Sequence, residues 1–352
     1  MKFFDLNKKN AKPFILITVY FVVLAVILET LSLTAFSKGA AATYANKYSN
    51  AYSFYSEPEN TIEVAGVGNS NLYSAFVPAK LWQKQGYTSS VIGSPHQTLA
   101  QSYDFIVRLY EKQNPKLVII ETDMFYRTLP DGKSYRSPLE IENLLESVFD
   151  AADPDNIEDM VKSAFSVFTF HDRWKGLLRG NEKEPKDPNA HGYHLHLKRK
   201  EFKPGDYMAK TDVKEEMKQS DLKTLDSIMS YCRDKGSEVL WVSAPSPKFW
   251  CYARHNYVSG LAKKYGVNFV DYNLKWQELD LKAQSDFRDK GTHLNFNGAK
   301  KFTFALGNYL KENYALEDYR GNDRYAYFEE SANRFDDDVK ALRKKEKEKK
   351  AK

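Results

Sequence analysis

Apolar positions along the chain follow two patterns. The first is one unbroken run: the stretch from Phe14 to Leu28 continues past the single Glu29 as far as Phe36, and Ile15 to Leu24 is apolar on every helical face. A helix in a soluble core keeps one polar face, so this run predicts a membrane-spanning segment instead. About twenty helical residues cover a bilayer core of roughly 30 Å. Lys2, Lys8, Lys9 and Lys12 precede the run and few basic residues follow it directly. That asymmetry predicts a single pass with a cytoplasmic N-terminus and an extracytoplasmic domain after about Lys38. Ala35-Phe-Ser37 also reads as a signal-peptide cleavage site, and either route exports the domain.

The second pattern alternates short β-type runs with helical periodicity. Thr61 to Gly68 reads as a strand, followed by a helix from about Leu72 to Gln85. Thr88 to Gly93 and Lys116 to Thr122 are further strands, with a helix from about Leu99 to Lys112 between them. Helical spacing from Leu222 to Cys232, a strand at Glu238 to Ser243, a helix at His255 to Tyr265, a strand at Val267 to Asp271 and a helix at Gly298 to Leu310 continue the series. Strands alternating with helices predict an α/β domain with a parallel sheet covered on both faces.

Residues 124–218 interrupt this series with aromatic, charged, Pro and Gly residues, far longer than an ordinary αβ connection, and predict a lid or cap insertion. The expected organisation is a cytoplasmic stub and anchor over 1–37, a juxtamembrane linker over 38–60, the α/β domain over 61–315 with its 124–218 insertion, and a charged C-terminal tail over 316–352. Tyr325 to Lys350 reads as a charged helix or a disordered tail.

Composition narrows the function classes. The 352 residues are 42% hydrophobic, enough for a large core. Net charge is +5, with much of the excess in the N-terminal lysines and in Arg343 to Lys352. Basic ends are ordinarily solvated; an exported chain has no nucleic-acid partner, whereas an anionic envelope polymer or lipid headgroups remain open. Two cysteines, Cys232 and Cys251, exclude a disulfide scaffold and a four-cysteine zinc site.

Candidate chemistry sits at two places. Gly68-Asn69-Ser70-Asn71 lies where the first strand ends and a helix begins, at the sheet edge where ligands bind in open parallel sheets. The helix start offers backbone N–H groups to a developing oxyanion. Ser and Asn are also ordinary N-caps, so this segment alone decides nothing. Far along the chain, Asp289-Lys-Gly-Thr-His293 supplies a base and a carboxylate in one loop, as a serine nucleophile requires. Asp286 is the reserve carboxylate, and His96 is a rival base.

Together these segments resemble the SGNH (GDSL-type) hydrolase superfamily, and in particular membrane-anchored SGNH-like proteins associated with cell-surface polymer O-acetylation and teichoic acid D-alanylation. The resemblance runs from Thr61 to about Leu310. It implies a three-layer α/β/α sandwich with a parallel flavodoxin-like sheet, and Ser70, His293 and Asp289 as the catalytic centre of a serine esterase or O-acyltransferase. It also implies backbone N–H groups of Ser70 and Gly93 in the oxyanion hole, no cofactor, a cell-surface polysaccharide or teichoic acid as substrate, and a multi-pass membrane O-acyltransferase as partner. Three departures stand out. Asn69 replaces the usual Asp of the first block. Glu121-Thr122-Asp123-Met124 replaces the Gly-x-Asn-Asp turn of the third, leaving Thr122 as the nearest side-chain oxyanion donor. The Asp-x-x-His spacing is one residue longer. The alternative is a catalytically inactive scaffold of the same fold.

Pocket-lining positions are expected at Asn69, Asn71, His96, Asp123 and Pro245. His171 and Arg173 read as a packed anchor of the insertion or as contacts to an anionic or sugar substrate. His191, His194 and His196 lack a carboxylate or thiol spaced to complete a metal site, so no metal is expected and a polar loop or strand is.

Overall fold

The computed structural model describes residues 8–34, 51, 53–127, 165–169 and 190–351. The chain divides into two compact units, one made of residues 1–44 and 136–183, the other of 45–135 and 184–352.

In the first unit, helix α1 spans Lys8–Leu33. Its window Ile15–Ser32 has a mean hydropathy of 2.4 and is long and apolar enough to cross a membrane. The described part of the insertion in this unit is the single turn Ser166–Thr169, where the Val167 N–H donates to Ser32 Oγ at 3.2 Å. His171 and Arg173 lie outside the described residues.

The second unit is the predicted α/β domain. Strands β1 (Val64–Gly68), β2 (Ser89–Gly93), β3 (Leu117–Glu121), β4 (Glu238–Ser243) and β5 (Asn268–Asp271) are all parallel, in the order β2-β1-β3-β4-β5. This is the flavodoxin-like doubly wound order, with its switch point beside β1. Strands β1, β2 and β3 are buried along their whole length, as a sheet covered on both faces requires. On one face α2 (Leu99–Leu109) packs against α3 (Gln219–Asp234). On the other, α4 (Pro78–Gln85) lies between α5 (Phe296–Asn313) and α6 (Ala326–Ala351). Helix α7 (Tyr252–Tyr265) covers β5. The result is a three-layer α/β/α sandwich.

Local chemistry explains several boundaries. Thr98 and Gln101 form a reciprocal capping box that starts α2. Pro78 occupies the first turn of α4, and Gly86, with φ of 76°, ends it in the left-handed region.

The segment after residue 315 differs from a charged tail. Phe328, Ala332, Phe335 and Val339 recur at intervals of four, three and four, and all are buried. They give α6 an apolar stripe against α4, reinforced where Trp82 Nε1 donates to Glu329 at 2.7 Å and Lys80 pairs with Asp336. The charge-dominated composition concealed this stripe. The expected linker likewise ends inside the domain: Ala51 and Phe54 are fully buried, and the buried Glu57 carboxylate accepts the Nδ1 hydrogen of buried His191 at 2.6 Å.

Candidate active site

Ser70 follows β1 after the single residue Asn69 and opens the helical turn Ser70–Tyr73. The turn lies close against the strand: a Cβ on Gly68 would sit 2.6 Å from Leu72 Cβ and 2.8 Å from Glu121 Cβ, so only glycine fits. Gly93, paired with Gly68 across β1 and β2, is equally constrained, since its Cβ would lie 2.8 Å from the Gly68 carbonyl oxygen. Backbone therefore converges beside Ser70 from two strand ends.

His293 reaches Ser70 from a tight β-turn loop. Phe287 and Leu294 form an antiparallel bridge, and the Arg288 N–H donates to the His293 carbonyl at 3.1 Å. Lys290 (φ 65°) and Gly291 (φ 93°) turn the loop tip through the left-handed region. This folds Asp289 back beneath the histidine. One carboxylate oxygen accepts the N–H of Thr292 at 3.1 Å and of His293 at 2.7 Å, while the other meets His293 Nδ1 in a very short contact. The left-handed pair lets the loop close over the three residues between Asp289 and His293. His293 Nε2 lies 2.8 Å from Ser70 Oγ. An acceptor-only carboxylate at Nδ1 fixes the tautomer with the proton there, leaving Nε2 to accept the Ser70 hydroxyl hydrogen.

The loop is braced from β4. Ser246 Oγ donates to the Thr292 carbonyl at 2.9 Å, the Lys248 N–H donates to the Gly291 carbonyl at 3.2 Å, and Pro245 is buried beside them. Burial alone would raise the Asp289 carboxyl, but the hydrogen bonds and charge of His293, with Arg288 beyond, hold it below the usual carboxylate range. Asp286 is not part of this arrangement: it accepts Lys301 Nζ and the Lys282 N–H, both at 2.9 Å.

Asn69 caps the nucleophile turn, its Oδ1 accepting the Asn71 N–H at 2.9 Å, and its Nδ2 donates to Asp123 Oδ2 at 2.7 Å. The Arg127 side chain donates to the same Asp123 oxygen at 2.6 Å and lies over the Phe249 ring. Next to them Glu121 is fully buried, and burial together with the Asp123 charge raises its carboxyl well above the usual range. Thr122 is also fully buried, with its hydroxyl unpartnered among the described residues; so are both amide atoms of Asn71. His96 stands exposed in the turn after β2 with φ of 55°.

The sequence reading missed the segment after His191. The His194 N–H donates to the Tyr73 carbonyl at 2.8 Å, and the Phe296 N–H to the His196 carbonyl at 2.8 Å. The rings of Tyr73 and His194 are 5.2 Å apart, and those of His194 and His196 5.4 Å. Burial, with the charges of Arg288, His194 and His293, lowers His196 to about 4. The available signal was the spacing: residues two apart in an extended segment share a face, which sends His194 and His196 one way together. His191 goes elsewhere, to Glu57 and Ser331. A cavity of about 310 Å³ lined by Glu63, Lys116, Tyr319 and Arg324 opens at the opposite, amino edge of the strands and contains none of these residues.

No family model and no curated protein matches the chain. Among solved structures it is similar to a GDSL-like lipase from Bacteroides thetaiotaomicron, at 11% identity and a TM-score of 0.35 over 76% of this chain and 98% of that one. It is also similar to a provisionally assigned acylhydrolase from Bacteroides fragilis, at 12% identity and a TM-score of 0.34 over 76% and 97%. A gut microbial diltiazem-metabolizing enzyme overlaps at 14% identity and a TM-score of 0.24 over 71% and 47%. These overlaps are loose, and the chemistry rests on the site's own geometry.

Proposed function

We propose that the chain is a serine acyl-transfer enzyme of SGNH type, an esterase or O-acyltransferase. The observation that carries this is the continuous line from Asp289 through His293 to Ser70 Oγ, closed at 2.8 Å. Ser70 Oγ attacks the carbonyl carbon of an acyl ester as its proton passes to His293 Nε2, and Asp289 stabilises the imidazolium. The tetrahedral oxyanion takes hydrogen bonds from the Ser70 and Gly93 N–H groups, with Thr122 or Asn71 as the side-chain donor in place of the missing asparagine. Collapse releases the alcohol, which takes the proton from His293, and leaves an acyl-Ser70. Water then frees the acid, or a sugar hydroxyl takes the acyl group.

The apolar helix α1 behind its N-terminal lysines supports a membrane-anchored, extracytoplasmic enzyme acting on a cell-surface polysaccharide or teichoic acid, with a membrane O-acyltransferase as partner. The purified chain is expected to hydrolyse p-nitrophenyl acetate and to be labelled by a serine-directed fluorophosphonate. Ser70→Ala is expected to abolish both, and labelling that persists in that variant overturns the assignment.

A further inference from the structure

Arg288 stands immediately before Asp289, yet it makes no hydrogen bond to that carboxylate. Asp289 is already engaged by the N–H groups of Thr292 and His293 and by His293 Nδ1, whereas Arg288 Nε is 3.7 Å from the nearest Asp289 oxygen. Only 13% of the Arg288 side chain is exposed, and none of its guanidinium N–H groups is hydrogen-bonded among the described residues. A guanidinium presents five donors in a planar fork suited to two parallel bonds to a carboxylate or phosphate. Its charge is offset only by the longer pairing to Asp289, so the fork keeps donors available to an anion from outside the chain.

Its surroundings fit that anion. Tyr73, His194 and His196 form a row of rings on the Ser70 side, and Tyr73 belongs to the same turn as the nucleophile. We propose that Arg288 is the anion-recognising residue of this site, and that the substrate is an ester carrying a phosphate or carboxylate within reach of the hydroxyl from which the acyl group is removed. This rests on the assignment of Ser70 as nucleophile and names the substrate class for it. His196, held down to about 4, is a neutral imidazole near pH 7 and can hydrogen-bond the same anion without competing for charge. Burial lowers the Arg288 guanidinium as well, a penalty that an incoming anion relieves.

The test compares three aryl acetates with a common acyl group: 4-acetoxyphenyl phosphate, 4-acetoxybenzoate and the neutral 4-acetoxybenzamide. In the wild-type chain kcat/KM for at least one anionic ester is expected to exceed that for the amide by tenfold or more. Arg288→Gln should collapse that ratio toward one, with Arg288→Lys in between; the phosphate and carboxylate arms identify which anion is preferred. A ratio that Arg288→Gln leaves unmoved overturns the proposal. Calorimetric binding of phenyl phosphate and benzoate to the Ser70→Ala chain is independent of turnover, and Arg288→Gln in that background should weaken it tenfold or more. Equal binding in the two overturns the subsite even if esters are cleaved. Absence of ester turnover with Arg288-dependent anion binding would instead remove the acyl-transfer reading and keep the subsite.

Discussion

Asn69 Nδ2 donates to Asp123 Oδ2 at 2.7 Å, so the residue before Ser70 is an amide held by a carboxylate from the turn that follows β3. With Asp123 in place, an Asp at 69 would set two carboxylates against each other beside fully buried Glu121. Asn69→Asp is expected to destabilise the domain by about 3 kcal/mol, the scale of an uncompensated buried charge. Adding Asp123→Asn should restore most of it, and urea denaturation of the four members of this cycle measures the coupling.

Asp289→Asn keeps the shape of the loop but offers His293 Nδ1 an amide in place of an acceptor-only carboxylate. A fall in kcat on the order of 10³–10⁴ is expected for ester hydrolysis. Asp286→Asn should act on stability through Lys301 and leave kcat within a few-fold, so steady-state kinetics on the two variants separates the carboxylates.

His196 gives the domain an acid-sensitive component. Its folded value of about 4 lies below its ordinary 6.5, so the folded state resists a proton that the unfolded chain accepts. Its contribution is intact above pH 6.5 and is lost as pH falls toward 4. Thermal melts across that window are expected to show a smaller loss of Tm in His196→Gln than in the parent.

Gly291 has φ of 93°, and a Cβ there would meet the Phe202 ring at 2.5 Å. Gly291→Ala is strained in backbone and side chain together, at a cost of about 1–3 kcal/mol. Because the strain falls between Asp289 and His293, kcat is expected to drop more than stability alone explains, which stopped-flow ester hydrolysis well below Tm can read.

Phe335 is buried between α6 and the body of the domain, in contact range of Tyr193 and Phe296. Phe335→Ala is expected to cost about 3–5 kcal/mol by chemical denaturation, and Glu346→Ala on the exposed end of the same helix close to nothing.

The strand–helix alternation made the sheet legible, because period-two and period-3.6 patterns are local properties of the chain. Ser70 and the Asp289–His293 loop were legible for a related reason: each sits at an element boundary that the pattern locates. The carboxylate ambiguity was not, since both Asp286 and Asp289 are near His293 in sequence, and only the left-handed turn at Lys290 and Gly291 decides which one folds back. Arg288, His194 and His196 were not joined to the site because their meeting depends on a segment nearly a hundred residues before the loop laying itself along Phe287 and Phe296. The stripe of α6 was readable in principle, but four apolar positions were outweighed by the charges between them.

The 2.8 Å contact between Ser70 and His293 spans 223 positions of sequence, and Trp82 with Glu329 spans 247. Contacts this remote form only after most loop-closure entropy has been spent, which slows folding relative to helical bundles of similar size. The Ser70–His293 contact therefore requires two distant segments of the chain to be in place together. A chain in which the segment around His293 has not docked leaves Ser70 Oγ without its imidazole partner.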